Sequence, residues 1–114
     1  MRLLLTLLAC PTALLADFAV LAGDVPLSRT EVVALTAGPD LAFFAGGVSR
    51  YSAGGAYSFT YDSGQSAFGT YDVGPDGVIC IAYRNGRSRC DRFVRSHGRL
   101  VMLTQAGDRF PVRP

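Results

Sequence analysis

Six arginines fall within sixteen residues: Arg84, Arg87, Arg89, Arg92, Arg95 and Arg99, with the chain's single histidine, His97, among them. Guanidinium groups grip phosphate, sulfate and carboxylate in a fixed fork. A run of this kind suits an anionic partner: a lipid headgroup, a polysaccharide, a nucleic acid or an acidic protein. The charge is lopsided along the chain. Residues 81–114 carry eight Arg against Asp91 and Asp108, whereas residues 23–80 carry Arg29 and Arg50 against six acids. Strand alternation separates Arg89 and Arg95 from Arg92, so the six cannot share one face. The contact set expected of the cluster is Arg84, Arg87, Arg89, Arg95 and Arg99. The competing reading is an Arg-rich hairpin that keeps a sheet edge soluble.

Little else is equipped for chemistry. There is no lysine and one glutamate, Glu31, which excludes Schiff-base catalysis and leaves few groups for proton transfer. His97 adjoins Ser96, but neighbours in sequence do not meet as base and nucleophile, and no strand-to-helix nucleophile elbow surrounds them. Asp72 and Asp76, with Asp62 nearby in sequence, lack the loop spacing and closing Glu of a calcium hand; Gly74-Pro75-Asp76-Gly77 reads as a plain turn. Zinc spacing, a phosphate loop and a dinucleotide fingerprint are all absent from the sequence. No catalytic residue, metal or cofactor is expected. The basic-aromatic signature of the known nucleic-acid folds is missing too, so nucleic acid is the least expected of the anionic partners.

The compartment is read from the N-terminus and the cysteines. Residues 1–22, MRLLLTLLACPTALLADFAVLA, have a basic start, an apolar run and small residues ahead of a cut, the pattern of a secretory leader. Asp17 interrupts the run and argues against a permanent transmembrane helix. Two cleavage positions compete, one after Ala22 (Val20-Leu21-Ala22) and a shorter one after Ala16 (Leu14-Leu15-Ala16). A third reading makes Cys10 a lipidated first residue. Removing residues 1–22 takes Cys10 away and leaves Cys80 and Cys90, an even pair that reads as a disulfide in a small exported domain. The expected organisation is a leader over 1–22 and one small domain over 23–114, periplasmic or secreted, with no membrane span once the leader is gone.

These residues must be carried by short strands. Ser28 and Glu31 form a capping-box pattern, and Leu27 and Val32 fall at the two positions of a hydrophobic staple. They predict a helix over 29–37 that docks through Val32, Val33 and Leu35 and is stopped by Gly38-Pro39. Turn signals then recur, from Gly46-Gly47 to Gly107, at close to the spacing of a meander. They predict strands at 41–45, 48–53, 56–62, 66–73, 78–83, 88–95, 99–104 and 109–112. The fold class is mainly β: an antiparallel meander of about eight short strands, closed as a small barrel or left as a curled sheet, with one short N-terminal helix. A Cys80–Cys90 bridge needs the two residues directly opposite, which centres the hairpin on Asn85 with a three-residue loop and Gly86 left-handed. Val78–Tyr83 is apolar on both faces and predicts a strand covered on both sides. Tyr57, Phe59, Tyr61, Phe68 and Tyr71 either line a small apolar cavity in such a barrel or fill it as core.

The order of a capped LSRTEVVALTAG helix, GAYSFTYDSG, GTYDVGPDGVICIAYRNGRSRC and a closing strand resembles families of small exported proteins of Gram-negative bacteria, taken to be lipocalin-like β-structures with no established activity. The resemblance covers about residues 27–105, with Tyr71 standing where those families would carry Trp. A weaker likeness, in SAFGTY at 66–71, is to periplasmic lysozyme inhibitors, whose disulfides instead tie distant strands together. Together the residues and the resemblance predict an exported binding or accessory module of unassigned ligand, docking an anionic envelope component or protein. The alternative is an inhibitor of an envelope-attacking enzyme such as lysozyme.

Overall fold

The computed structural model describes residues 18–114; Cys10 and residues 1–17 of the expected leader lie outside the described residues. A short strand β1 (Asp24–Pro26) leads into helix α1 (Arg29–Thr36). The meander follows as β2 (Leu41–Ala42), β3 (Val48–Tyr51), β4 (Ala56–Thr60), β5 (Ser66–Val73), β6 (Ile79–Tyr83), β7 (Ser88–Ser96), β8 (Arg99–Thr104) and β9 (Arg109–Pro111). Each of β2 to β9 pairs antiparallel with its neighbour in sequence. The sheet curls until its two edges touch: Phe43 bridges Val112, Phe44 N donates to the Pro111 carbonyl and Arg113 N to that of Ala42.

One turn is used six times. Over 43–47, 52–56, 61–65, 74–78, 83–87 and 104–108, the first residue donates its N–H to the carbonyl of the fifth, and the fourth donates back to the first. The fourth is a glycine in every case, with φ between +85° and +109°. This is the three-residue bulged hairpin loop. Around Asn85 it sets Cys80 directly opposite Cys90 at a Cα separation of 4.0 Å, close to the shorter of the two spacings in an antiparallel ladder, and the pair is disulfide-bonded. The β7–β8 hairpin is the exception, with two residues between paired Ser96 and Arg99. There His97 at φ +51° and Gly98 at +81° form a primed two-residue turn.

The helix begins as its capping residues dictate: Ser28 N donates to Glu31 Oε1 at 2.8 Å and Glu31 N to Ser28 Oγ at 3.2 Å. The bond from Ser28 N, helped by the Ser28 side chain, holds the Glu31 carboxyl below its ordinary pKa. Val32 is fully buried and Leu35 packs on the same core, each such burial being worth roughly 1.5–3 kcal/mol. Val33, expected to dock with them, is instead exposed; its neighbour Val32 takes the inward direction, and Thr36 completes that face. Of the Gly38-Pro39 pair expected to stop the helix, Pro39 does the stopping: Ala37 stays right-handed at φ −88° and Gly38 is not among the positive-φ glycines, so no left-handed glycine cap forms.

Two apolar layers result. The inner one joins Leu27 and Val32 to Tyr51, Tyr57, Ile79, Ile81, Phe93 and Met102. A second lies on the outer face, where Val94, Val101 and Leu103 are covered by Phe18. β1 reaches it by pairing with the end of β7, Asp24 opposite Ser96. The outer face of β6, expected to be covered, carries only the half-buried Cys80 and the exposed Ala82. Side chains this short leave little apolar area to hide. Among the described residues no helix is long and apolar enough to cross a membrane.

Candidate functional site

The curled sheet has two ends, and alternating strand direction sends the arginines to both. Arg84 and Arg87 flank the β6–β7 turn; Arg95 and Arg99 flank the β7–β8 turn at the opposite end of β7. Arg84 stacks on Phe68 with its guanidinium 5.2 Å from the ring centroid. Arg92, on the outer face, reaches the Asp76 carbonyl at 3.3 Å and its carboxylate at 3.7 Å. Arg89 turns inward. The sequence cluster is thus dispersed rather than gathered into one patch.

Inside the sheet a chain of polar groups surrounds Arg89. Its Nε donates to Asp91 Oδ2 at 3.1 Å and its Nη2 to the Tyr57 hydroxyl at 3.1 Å, which in turn lies 2.8 Å from Ser49 Oγ. Asp91 and Ser49 are fully buried. Burial pushes the Asp91 carboxyl up to about 6, the Arg89 guanidinium offsetting only part of that cost. Burial likewise raises the Tyr51, Tyr57 and Tyr83 hydroxyls, so all three stay neutral. Among the described residues, Asp91 Oδ1 and the Tyr51 hydroxyl have no hydrogen-bond partner. Sequence reading overlooked Asp91 and Ser49. The signal was there: Asp91 shares strand parity with Phe93, so whatever buries one buries the other.

The five aromatics do not meet around a cavity. Tyr57, Phe59 and Tyr71 pack inward, with Tyr51 between Tyr57 and Tyr71 at centroid distances of 5.1 Å each. Tyr61 is exposed and rests edge-on against Phe59 at 4.9 Å. Phe68 stands on the outer face, since it differs from inward Tyr71 by an odd number of positions. The interior at this level is filled by its own side chains.

Open space lies at the other end. A cleft of about 740 Å³ runs between the C-terminal half of α1, the loop into β2, the β7–β8 hairpin and the last three residues. Leu35, Leu41, Leu100 and Val112 give it apolar walls, while Arg95, Arg99 and Arg113 stand along it. Arg113 is laid over the Phe44 ring at 4.7 Å. Asp40 also lines the cleft, but its carboxylate is taken by Arg50 through three hydrogen bonds of 3.0–3.3 Å. Arg95, Arg99 and Arg113 form no ion pair among the described residues. Arg95 is shared with a smaller neighbouring hollow that includes Glu31 and exposed His97. Two arginines of the expected contact set, Arg95 and Arg99, are therefore at this cleft, and Arg113 joins them from the last three residues, which no local pattern tied to it. Asp62 and Asp76 serve turns: Asp62 accepts from Gly47 N at 3.1 Å and Asp76 from Val78 N at 3.1 Å.

No family model matches the chain, and neither a curated protein nor a solved structure does.

Proposed function

We propose that this protein is an exported binding module whose cleft holds a small amphipathic anion. Its single acyl chain lies on Leu35, Leu41, Leu100 and Val112, and its acidic head sits among Arg95, Arg99 and Arg113. The observation that carries the reading is three arginines that form no ion pair among the described residues, on the rim of an apolar cleft of about 740 Å³, a volume typical of small-molecule sites. The leader-like N-terminus and the Cys80–Cys90 disulfide support export. The inhibitor alternative draws less support: Ser66–Thr70, its candidate segment, lies inside β5, paired with β4 over its whole length and with β6 at Gly69 and Thr70.

The test is equilibrium binding of a long-chain fatty acid by displacement of a fluorescent fatty-acid probe. Replacing Arg95, Arg99 and Arg113 with Ser is expected to weaken binding at least tenfold, because each charge-assisted contact is worth about 1.5–3 kcal/mol. Replacing Arg84 and Arg87, at the opposite end, leaves it unchanged. Affinity falls with added salt. Binding that ignores both salt and the triple substitution defeats the reading, and a preference for phospholipid vesicles over the free acid moves the partner to a membrane surface.

A further inference from the structure

Residues 18–24 belong to the folded surface. Phe18 covers Val94, Val101 and Leu103, which face away from the inner core yet are at most 5% exposed. The Arg92 guanidinium lies 5.7 Å from the Phe18 ring centroid, and Arg109 Nη1 donates to the Ala19 carbonyl at 3.4 Å. Leu21 N donates to Asp24 Oδ2 at 2.8 Å and Asp24 N to the Leu21 carbonyl at 3.0 Å, closing a turn that delivers Asp24 to Arg109. A cut after Ala22 removes Phe18, Ala19 and Leu21 together. It strips the outer apolar strip of its cover and deprives Asp24 of the Leu21 N–H. A cut after Ala16 leaves every one of these contacts in place.

We propose that the chain is processed between Ala16 and Asp17, so that the mature domain begins ahead of Phe18. This rests on the export reading above. The step is hydrolysis of one peptide bond by the leader-cleaving peptidase of the export route: water is consumed, Ala16 leaves with a new carboxylate, and Asp17 gains a free α-amine. A leader of sixteen residues falls within the usual span of about 15–30 and keeps a small residue at its last position. The Phe18 ring, the Ala19 carbonyl and the Leu21 N–H favour this position over the longer alternative with its Val20-Leu21-Ala22 pattern, because a cut there discards all three contacts.

The experiment expresses the full chain with its own leader in a Gram-negative host and determines intact mass and N-terminal sequence of the protein from the periplasmic fraction. The expected product is Asp17–Pro114 less two hydrogens. A start at Gly23, or at any other residue, overturns the assignment while leaving export standing. An uncut chain, or one lipidated at Cys10, overturns the assignment and soluble export together. Two substitutions sharpen the result: A16R is expected to abolish the Asp17 product, and A22R, at an exposed position, to leave the cut where it was. Processing blocked by A22R and indifferent to A16R overturns the proposal.

Discussion

Arg109 holds Asp24 by both carboxylate oxygens, Nη1 to Oδ2 at 2.7 Å and Nη2 to Oδ1 at 3.0 Å, across 85 positions of sequence. The pair fastens β1 to the last strand of the meander. Hydrogen bonds from Arg109, then from Leu21 N, keep the Asp24 carboxyl well below the ordinary carboxylate range. A carboxylate with a depressed native pKa stabilises the fold fully above its unfolded value, near 3.8, and loses that contribution as pH falls below it. D24N is therefore expected to lower the melting temperature at pH 7 and to flatten the acid limb of the melting profile below pH 4. Thermal scans from pH 2 to 7 check this, and an acid limb of unchanged steepness counts against it.

Asp91 has the opposite sign. Its carboxyl is raised by burial to about 6 from 3.8, so between those values the native state binds more protons than the unfolded chain and stability falls as pH rises. Urea unfolding at pH 4, 5, 6 and 7 should show this decline in the wild type and not in D91N. The two proteins following parallel curves across that window would refute the assignment.

Replacing both cysteines, C80S/C90S, is expected to cost about 3 kcal/mol, since the bridge closes a short loop that the unfolded chain otherwise leaves free. Denaturant midpoints of the double variant and of reduced wild type should coincide. A double variant as stable as the oxidised protein would show that the bulged Asn85 turn already supplies the constraint.

His97 occupies a left-handed turn position at φ +51°, which His tolerates better than most side chains, β-branched residues worst, and which a primed two-residue turn fills by preference with Asn or Asp. H97N is expected to gain about 0.5–1 kcal/mol and H97V to lose stability, read from urea unfolding. Equal stability of the Asn and Val variants would remove the turn argument.

The meander was legible because glycine marks its turns so regularly: all eight strands expected between residues 41 and 112 are present, as are the capping box and the Cys80–Cys90 register. β1 was not legible. Asp24-Val25-Pro26 is three residues long and ends in Pro, and nothing local says that its partner is β7. The arginine cluster misled because proximity in sequence along a hairpin becomes separation in space: Arg87 and Arg95 lie at opposite ends of one strand. Phe68 and Tyr71 could have been parted by parity alone. The cleft could not have been foreseen, because it arises where α1, the β7–β8 turn and the last three residues stand apart, a relation that no local pattern encodes.

Each strand from β3 onward pairs with the one before it, so every hairpin can form as soon as its second strand exists. Asp24 has no such neighbour. Its partner Arg109 follows it by 85 positions. A chain emerging N-terminus first must carry its opening segment unfastened while the meander zips up behind it, with Val94, Val101 and Leu103 uncovered in the interval. A chain truncated before β9 keeps the β1–β7 pairing but loses the Arg109 grip on Asp24. The Asp24–Arg109 clasp thus closes late, fastening the opening segment only once β9 is in place beside β8.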